Sequence, residues 1–272
     1  MAVVGLGVHP GRAEAVAQAR RISEWLAARG HTTRAIDTEG LACDAGELDL
    51  AVSLGGDGTM LRVVDAVRGA DVPVLGVNFG HLGYLTAVEP TGLEDALERF
   101  FAGEHRIEAR MTLDVRVTGP GGHPERRALN DVVLQRVQAG HTVRAALRLR
   151  GQPFLTYTAD SLIVATPTGS TAYNLSARGP IVSPDTRVIV VTPVAAHSLF
   201  DRSLVLSPND EVELVPTGDG QAELVVDGWE PIAVGPGSRV TCRAGVRDAL
   251  LVTFGERDFH RILKGKFALD GP

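Results

Sequence analysis

Cysteine is scarce. Cys43 and Cys242 are the only two in 272 residues, and their separation has no metal-binding spacing. That excludes a disulfide framework and a zinc module, and points to a reducing compartment. An excess of basic charge is also missing, with 27 Lys and Arg against 33 Asp and Glu for a net charge of −6. This argues against a nucleic-acid binder held by phosphate contacts. No apolar run approaches the ~18 residues that span a bilayer. Residues Ala2 to Val8 start without a basic leader or cleavage site, so no membrane partner is expected and the predicted location is cytoplasmic. Aromatic residues amount to 5 %, and repeats, charge blocks and low-complexity tracts are lacking. What remains is an ordinary globular composition, 44 % hydrophobic and 22 % charged, with room for two domains at roughly 150 residues each.

Against these absences stands one dense feature, Ser53-Leu54-Gly55-Gly56-Asp57-Gly58-Thr59-Met60-Leu61. The apolar run Leu48 to Leu54 reads as a buried strand, and Thr59 is expected to open a helix. Without Cβ atoms in the way, backbone N–H groups can converge on an anion, so Gly55, Gly56, Gly58 and Thr59 form a candidate phosphate cradle. A carboxylate there would repel bare phosphate. Asp57 is therefore expected to meet a metal-bridged phosphate or the proton of an attacking hydroxyl. A plain strand-to-helix turn, with Asp57 as the cap, would use the same residues.

Strands are expected over 2–8, 32–36, 49–54 and 72–77, with helices over 16–26 and 59–67, which describes a mostly parallel α/β sheet. Asn78 to Thr86 forms a second glycine loop, and Thr91-Gly92-Leu93-Glu94 has the form of a capping box opening a helix to Phe101. Beyond Glu104 short strand-like runs alternate with Gly and Pro, including a turn at Gly119-Pro120-Gly121-Gly122. The expected division is an α/β domain over 1–103, a β-sandwich over 104–255 that includes the run Ala249 to Phe254, and a helix or tail over 256–272.

Two loops in the β half carry unusual chemistry. Asn130-Asp131 sets an amide beside a carboxylate, a pair that can both donate to and accept from a vicinal diol, although a polar dipeptide entering a strand is often just a turn. Thr166-Pro167-Thr168-Gly169-Ser170-Thr171-Ala172-Tyr173-Asn174-Leu175-Ser176 packs five Ser and Thr hydroxyls beside one aromatic ring. That suits a purine and ribose better than a metal, and a capping role would also use it.

Taken with Val226-Asp227-Gly228, these stretches resemble bacterial NAD kinase over about 50–230. The glycine-aspartate turn alone is shared with diacylglycerol kinases and 6-phosphofructokinases; the Thr-Pro-Thr-Gly-Ser-Thr-Ala-Tyr run is far more specific. The resemblance implies an α/β domain, a C-terminal β-sandwich and a site between them, completed by a neighbour in a homodimer or homotetramer. It implies Asp57 as proton acceptor, with Gly58 alongside at the NAD site, and Asn130 and Asp131 on ribose hydroxyls. Asp160 would meet the nicotinamide part, and Thr171, Ala172, Tyr173, Asn174, Leu175 and Ser176 the adenine. Arg62, His141 and the Ala195 backbone match further ligand contacts, whereas His197 reads as structural. The implied substrates are NAD and ATP, with polyphosphate as an alternative donor. Mg²⁺ would be carried by the nucleotide, since no all-protein metal cage is seen. Ser161 and Arg178 stand where the family commonly has glycine, and Trp229 where it often has glutamine. A lipid kinase of the diacylglycerol type and a non-catalytic NAD(P)-binding regulator are the rival readings.

Overall fold

The computed structural model describes residues 1–38, 45–80, 83–119, 125–138, 140–218, 220–255 and 258–267. Cys43, His81, Leu82 and the turn residues 120–122 lie outside these. Two compact units emerge, Met1–Arg110 with Ala249–Pro272, and Met111–Asp248.

In the first unit, β1 (Val3–Val8), β2 (Thr32–Ile36), β3 (Leu50–Gly55) and β4 (Val74–Asn78) form a parallel sheet in the order β2-β1-β3-β4. Its helices are α1 (Ala13–Ala27), α2 (Asp57–Ala66) and α3 (Leu93–Phe101). β3 is buried at every position. Leu50, Val52 and Leu54 share one core with Ile22 and Leu26 of α1 and Leu93 and Leu97 of α3, each such side chain contributing about 1.5–3 kcal/mol on burial. The strand order reverses between β1 and β3, and the crevice past their carboxyl ends is where such sheets bind ligands. The Gly55–Thr59 turn falls there.

The capping box over 91–94 does not form. Pro90 starts a 3₁₀ turn over Pro90–Gly92, so Thr91 sits within that turn, exposed, and α3 begins at Leu93 with no side-chain cap. The sheet also gains β5 (Arg106–Arg110), which the sequence pattern did not reveal.

The second unit is wholly antiparallel. Its strands are β6 (Leu113–Thr118), β7 (Arg126–Ala128), β8 (Asp131–Arg136), β9 (Val143–Leu149), β10 (Gln152–Ala159), β11 (Ser161–Ala165), β12 (Ile189–Val194), β13 (Leu204–Leu206), β14 (Val212–Pro216), β15 (Ala222–Val226), β16 (Ile232–Val234) and β17 (Arg239–Ala244). One sheet runs β10-β9-β14-β17-β6-β7, the other β13-β12-β11-β8-β15-β16. Val115, Leu147 and Leu214 from the first join Leu134, Leu162 and Leu224 from the second in a single core, the expected sandwich. Cys242 is buried in it, and burial pushes its thiol up to about 12. The outer face of the second sheet is covered too: Val133, Ile163 and Val190 pack with Ala177, Val182 and Val188. Coverage on both faces explains why β11 reads as an unbroken apolar run.

The last strand, β18 (Ala249–Thr253), corrects the expected division. It leaves the sandwich and joins the first sheet, parallel to β4 at Leu251–Val74 and antiparallel to β5 from Ala249–Arg110 to Thr253–Arg106. Its β-favouring composition suits either sheet; the open edge of β4 is the one it covers. α5 (Phe259–Phe267) follows, the helix expected in the tail. Among the described residues, no helix is long and apolar enough to cross a membrane.

Candidate active site

In the first unit the glycine turn differs from its sequence reading in two respects. α2 starts at Asp57, two residues before Thr59, with Gly56 at the N-cap (φ −122°, ψ −166°). Thr59 is buried, and a side chain at Gly55 would overlap its hydroxyl. Gly56 and Gly58 have no heavy atom within 4 Å of where a Cβ would stand. The protein's own packing therefore demands Gly55 alone, while Gly56 and Gly58 leave the first-turn backbone open to a ligand. The first N–H groups of α2 have no intrahelical acceptor, as an anion site requires.

Asp57 is already the first residue of α2, and the N-cap is Gly56, so the helix-cap reading fails. Its carboxylate instead reaches the loop after β4, accepting the Tyr84 N–H on Oδ2 at 2.8 Å and the Leu85 N–H on Oδ1 at 3.1 Å. Each oxygen keeps a lone pair for a substrate proton. A Cβ at Gly83 would overlap that carboxylate, so this glycine is what lets the loop close on Asp57. Burial, and then the Asp57 charge, push the Tyr84 phenol up, keeping it a neutral hydroxyl. Arg62, further along α2, donates to the Thr38 carbonyl at 3.3 Å.

In the second unit the candidate residues fall into two groups at opposite ends of the same strands. At one end Asn130 and Asp131 lead into β8. The Thr166 N–H donates to the Asn130 carbonyl at 2.9 Å, and the Thr166 hydroxyl to the Leu129 carbonyl at 2.5 Å. The Asp131 carboxyl is buried, and burial raises its pKa to about 6 against the lowering influence of the Tyr173 N–H. Asp227, which the sequence marked only as part of a motif, accepts N–H groups from Leu129 (2.6 Å), Asn130 (2.8 Å) and Asp131 (2.9 Å). Burial, and then the Asp131 charge, raise its pKa to about 7 against those three donors. Asp227 (φ +47°) and Gly228 (φ +73°) are the centre of a turn closed by the Trp229 N–H on the Val226 carbonyl, the type I′ pattern that Asp-Gly signals.

The hydroxyl-rich segment turns mostly inward, which corrects its reading as a bank of ligand donors. Ser170 Oγ accepts from the Val182 N–H and donates to its carbonyl, Thr171 Oγ1 donates to the Thr168 carbonyl, and the fully buried Asn174 is bracketed by Ser170, Pro180 and Thr192. A buried, turn-rich connection must satisfy its own carbonyls and amides, and these hydroxyls do so. What the short helix α4 (Tyr173–Ser176) leaves outward is the Tyr173 ring, 43 % exposed, and Ser176, with Ala172 and Leu175 half-buried. Arg178 (φ +63°) ends that helix in the left-handed region, which explains the family's glycine at this place. The Ser161 hydroxyl is buried without a hydrogen bond among the described residues, and nothing in the structure explains it. Trp229 is buried with the Arg126 guanidinium over its ring at 5.0 Å.

The other end holds Asp160, His141 and Ala195. Arg136, missed in the sequence, donates to Asp160 Oδ1 at 2.6 Å and to the His141 carbonyl at 2.9 Å. Ala195 (φ +48°) is exposed just past β12, where Val194 accepts the Asp160 N–H at 3.0 Å. Ser161 pairs with Gln135 and Ala165 with Asp131, so Asp160 lies five residues along the strands from the level of Asp131, roughly 17 Å at ~3.3 Å per residue. Asp160 and the Asn130-Asp131 pair are not brought together within one chain.

Folded Asp131 and Asp227 both have pKa values above the ordinary 3.8. Their joint contribution to stability is whole below about pH 4 and is lost as pH rises through about 6 to 7. The unfolding free energy from urea titration is expected to fall between pH 5 and pH 8 by more in the parent chain than in Asp227→Asn, a difference on the order of 1 kcal/mol. Equal falls would remove the pair from the pH response.

The comparisons with known proteins agree along both units. The family model described as ATP-NAD kinase N-terminal domain matches residues 33–105, and the ATP-NAD kinase C-terminal domain matches 129–254. The NAD kinase of Heliobacterium modesticaldum is 39 % identical over 278 residues, 98 % of each chain. Among solved structures, the yeast NADH kinase complexed with NADH has a TM-score of 0.88 at 23 % identity, covering all of this chain and 89 % of that one. The Archaeoglobus fulgidus NAD kinase in complex with ATP has a TM-score of 0.75 at 25 % identity, covering 99 % of both chains.

Proposed function

Because the chain belongs to the NAD kinase family, we propose that it transfers the γ-phosphoryl group of ATP to the 2′-hydroxyl of the adenosine ribose of NAD, giving NADP. The observation that carries this reading is the Asp57 carboxylate, held by two backbone amides beside the open first turn of α2. A ribose hydroxyl is a weak nucleophile at neutral pH, and Asp57 accepts its proton as the new bond forms. The N–H groups around Gly56, Gly58 and Thr59 receive phosphate oxygens. Asn130 and Asp131 hold the ribose, and Tyr173 offers its exposed face to the adenine. Among the described residues no group of three His, Cys, Asp or Glu could hold a metal. A divalent cation, Mg²⁺ in our reading, travels with the triphosphate, where it would neutralise charge on the transferring group. ATP is the donor we favour over polyphosphate, and a cytoplasmic location suits both substrates.

The separation of Asp160, His141 and Ala195 from Asn130 supports a homo-oligomer in which a second copy supplies that end of the site. Exposed Leu199 and Phe200, which follow Ala195 in the chain, and Phe154, edge-on to Phe200 at 5.9 Å, support such a contact. No observation favours the lipid kinase reading.

Purified protein given Mg-ATP with NAD should form NADP, and with diacylglycerol should form no phosphorylated lipid; lipid product, or no product from NAD, overturns the reading. The Gly83→Ala chain tests the loop that holds Asp57. Because only a short side chain must swing aside, the melting temperature should stay within about 3 °C while kcat falls at least about tenfold. Full turnover in that chain would show that the amide cradle is dispensable.

A further inference from the structure

The roles above leave the Asp227 carboxylate without a task, yet it gathers three consecutive backbone amides, those of Leu129, Asn130 and Asp131. Successive amides turned to one point make a nest that favours an anion. Here a carboxyl group from within the chain, on the turn after β15, takes that place, and the Asp227 N–H returns the contact by donating to the Asp131 carbonyl at 3.0 Å. The same peptide is held on its other side by the Thr166 N–H on the Asn130 carbonyl and by Gly169, which has no side chain to push it away. The carboxyl of Asp131 is buried on the side of the Tyr173 N–H. Every fixed point therefore falls on backbone or on Asp131, and among the described residues the Asn130 amide group makes no side-chain hydrogen bond.

We propose that Asp227 is a positioning residue for the dinucleotide: without touching substrate, it sets the 129–131 backbone so that Asn130 and Asp131 face the ribose. The inference rests on the assignment of those two residues to the ribose. A carboxylate suits the task better than an amide, because all three partners are donors and an Asn side chain must aim an NH₂ group at one of the amides. The left-handed backbone at Asp227 and Gly228 holds the carboxylate at the level of Asp131, one step past the Val226–Val132 pair. Glutamate would place the group one methylene too far and is not expected to substitute.

The experiment is a double-mutant cycle on the full chain, Asp227→Asn with Asn130→Ala, read by steady-state kinetics and by NAD binding. Asp227→Asn should raise KM for NAD by about 10- to 100-fold, leaving KM for ATP and kcat at saturating NAD within about threefold. In the Asp227→Asn background, Asn130→Ala should weaken NAD by less than about threefold more, because both changes act through one contact. Additive losses, or equal changes in KM for both substrates, would make Asp227 a general structural residue and overturn the proposal. If Asn130→Ala alone leaves NAD binding intact, the ribose assignment itself falls. If Asn130→Ala weakens NAD and Asp227→Asn does not, only the present inference falls. Should Asp227→Asn fail to fold, Gly228→Ala, which strains the same turn in open space, is measured in its place with the same expected split. Failure of both to fold assigns the turn to stability and counts against the proposal.

Discussion

Asp57→Asn should retain NAD binding and lose turnover by about 10²–10⁴-fold, the usual range for removing a general base. The amide is nearly the same size as the carboxylate, so the turn at Gly55 to Thr59 keeps its backbone. The Tyr84 and Leu85 N–H groups each bond one carboxylate oxygen. Asparagine can satisfy only one of them, at a cost of about 1 kcal/mol in stability. That cost is small beside the catalytic loss. Single-turnover measurement with saturating NAD and ATP separates the two effects, and an unchanged rate would remove Asp57 from the chemistry.

Gly169→Ala should be the most damaging single methyl in the second unit. Its Cβ would overlap the carbonyl of Asn130 and stand 2.7 Å from the Asn130 Cα. These are backbone atoms and cannot swing aside. Nor can residue 169 retreat, because its N–H is bound by Thr166 Oγ1 at 3.0 Å and its carbonyl by the Ala172 N–H at 2.9 Å. Overpacking of this kind costs about 1–3 kcal/mol, so the melting temperature should fall by roughly 3–10 °C. Because the displaced atoms belong to Asn130, NAD affinity should fall at least about tenfold as well. A chain with parental melting and NAD affinity would show that Asn130 is not gripped as the structure has it.

Much of this architecture was legible in the sequence where the signal is local. Period-two alternation over Met111 to Val117 marks a half-covered strand, and the structure forms one over Leu113–Thr118 with alternate residues buried. Ala249–Thr253 was legible as a strand, but its partners at Val74 and Arg106–Arg110 lie far away in the chain. Strand composition records extended backbone and not which edge it covers. The site divides in the same way. Asp57 stood out because three glycines surround it, whereas the Tyr84 and Leu85 amides that hold it are backbone donors with no side-chain signature. Arg136 pairs with Asp160 because the β8–β11 register sets Gln135 opposite Ser161, and that register is not written near either residue. The hydroxyls over Thr166 to Ser176 announced polarity without direction, and the fold turns most of them inward. Asp227-Gly228 signalled its turn plainly, yet the three amides it gathers became visible only once β8 and β15 were side by side.

A crystal structure of the chain with NAD bound tests the central claim most directly. The account predicts an Asp57 oxygen within hydrogen-bond reach of the adenosine 2′-oxygen, about 2.6–3.2 Å, with the Tyr84 and Leu85 amides still bonded to the carboxylate. An Asp57 side chain turned to bulk water, with that sugar oxygen held elsewhere, would contradict it.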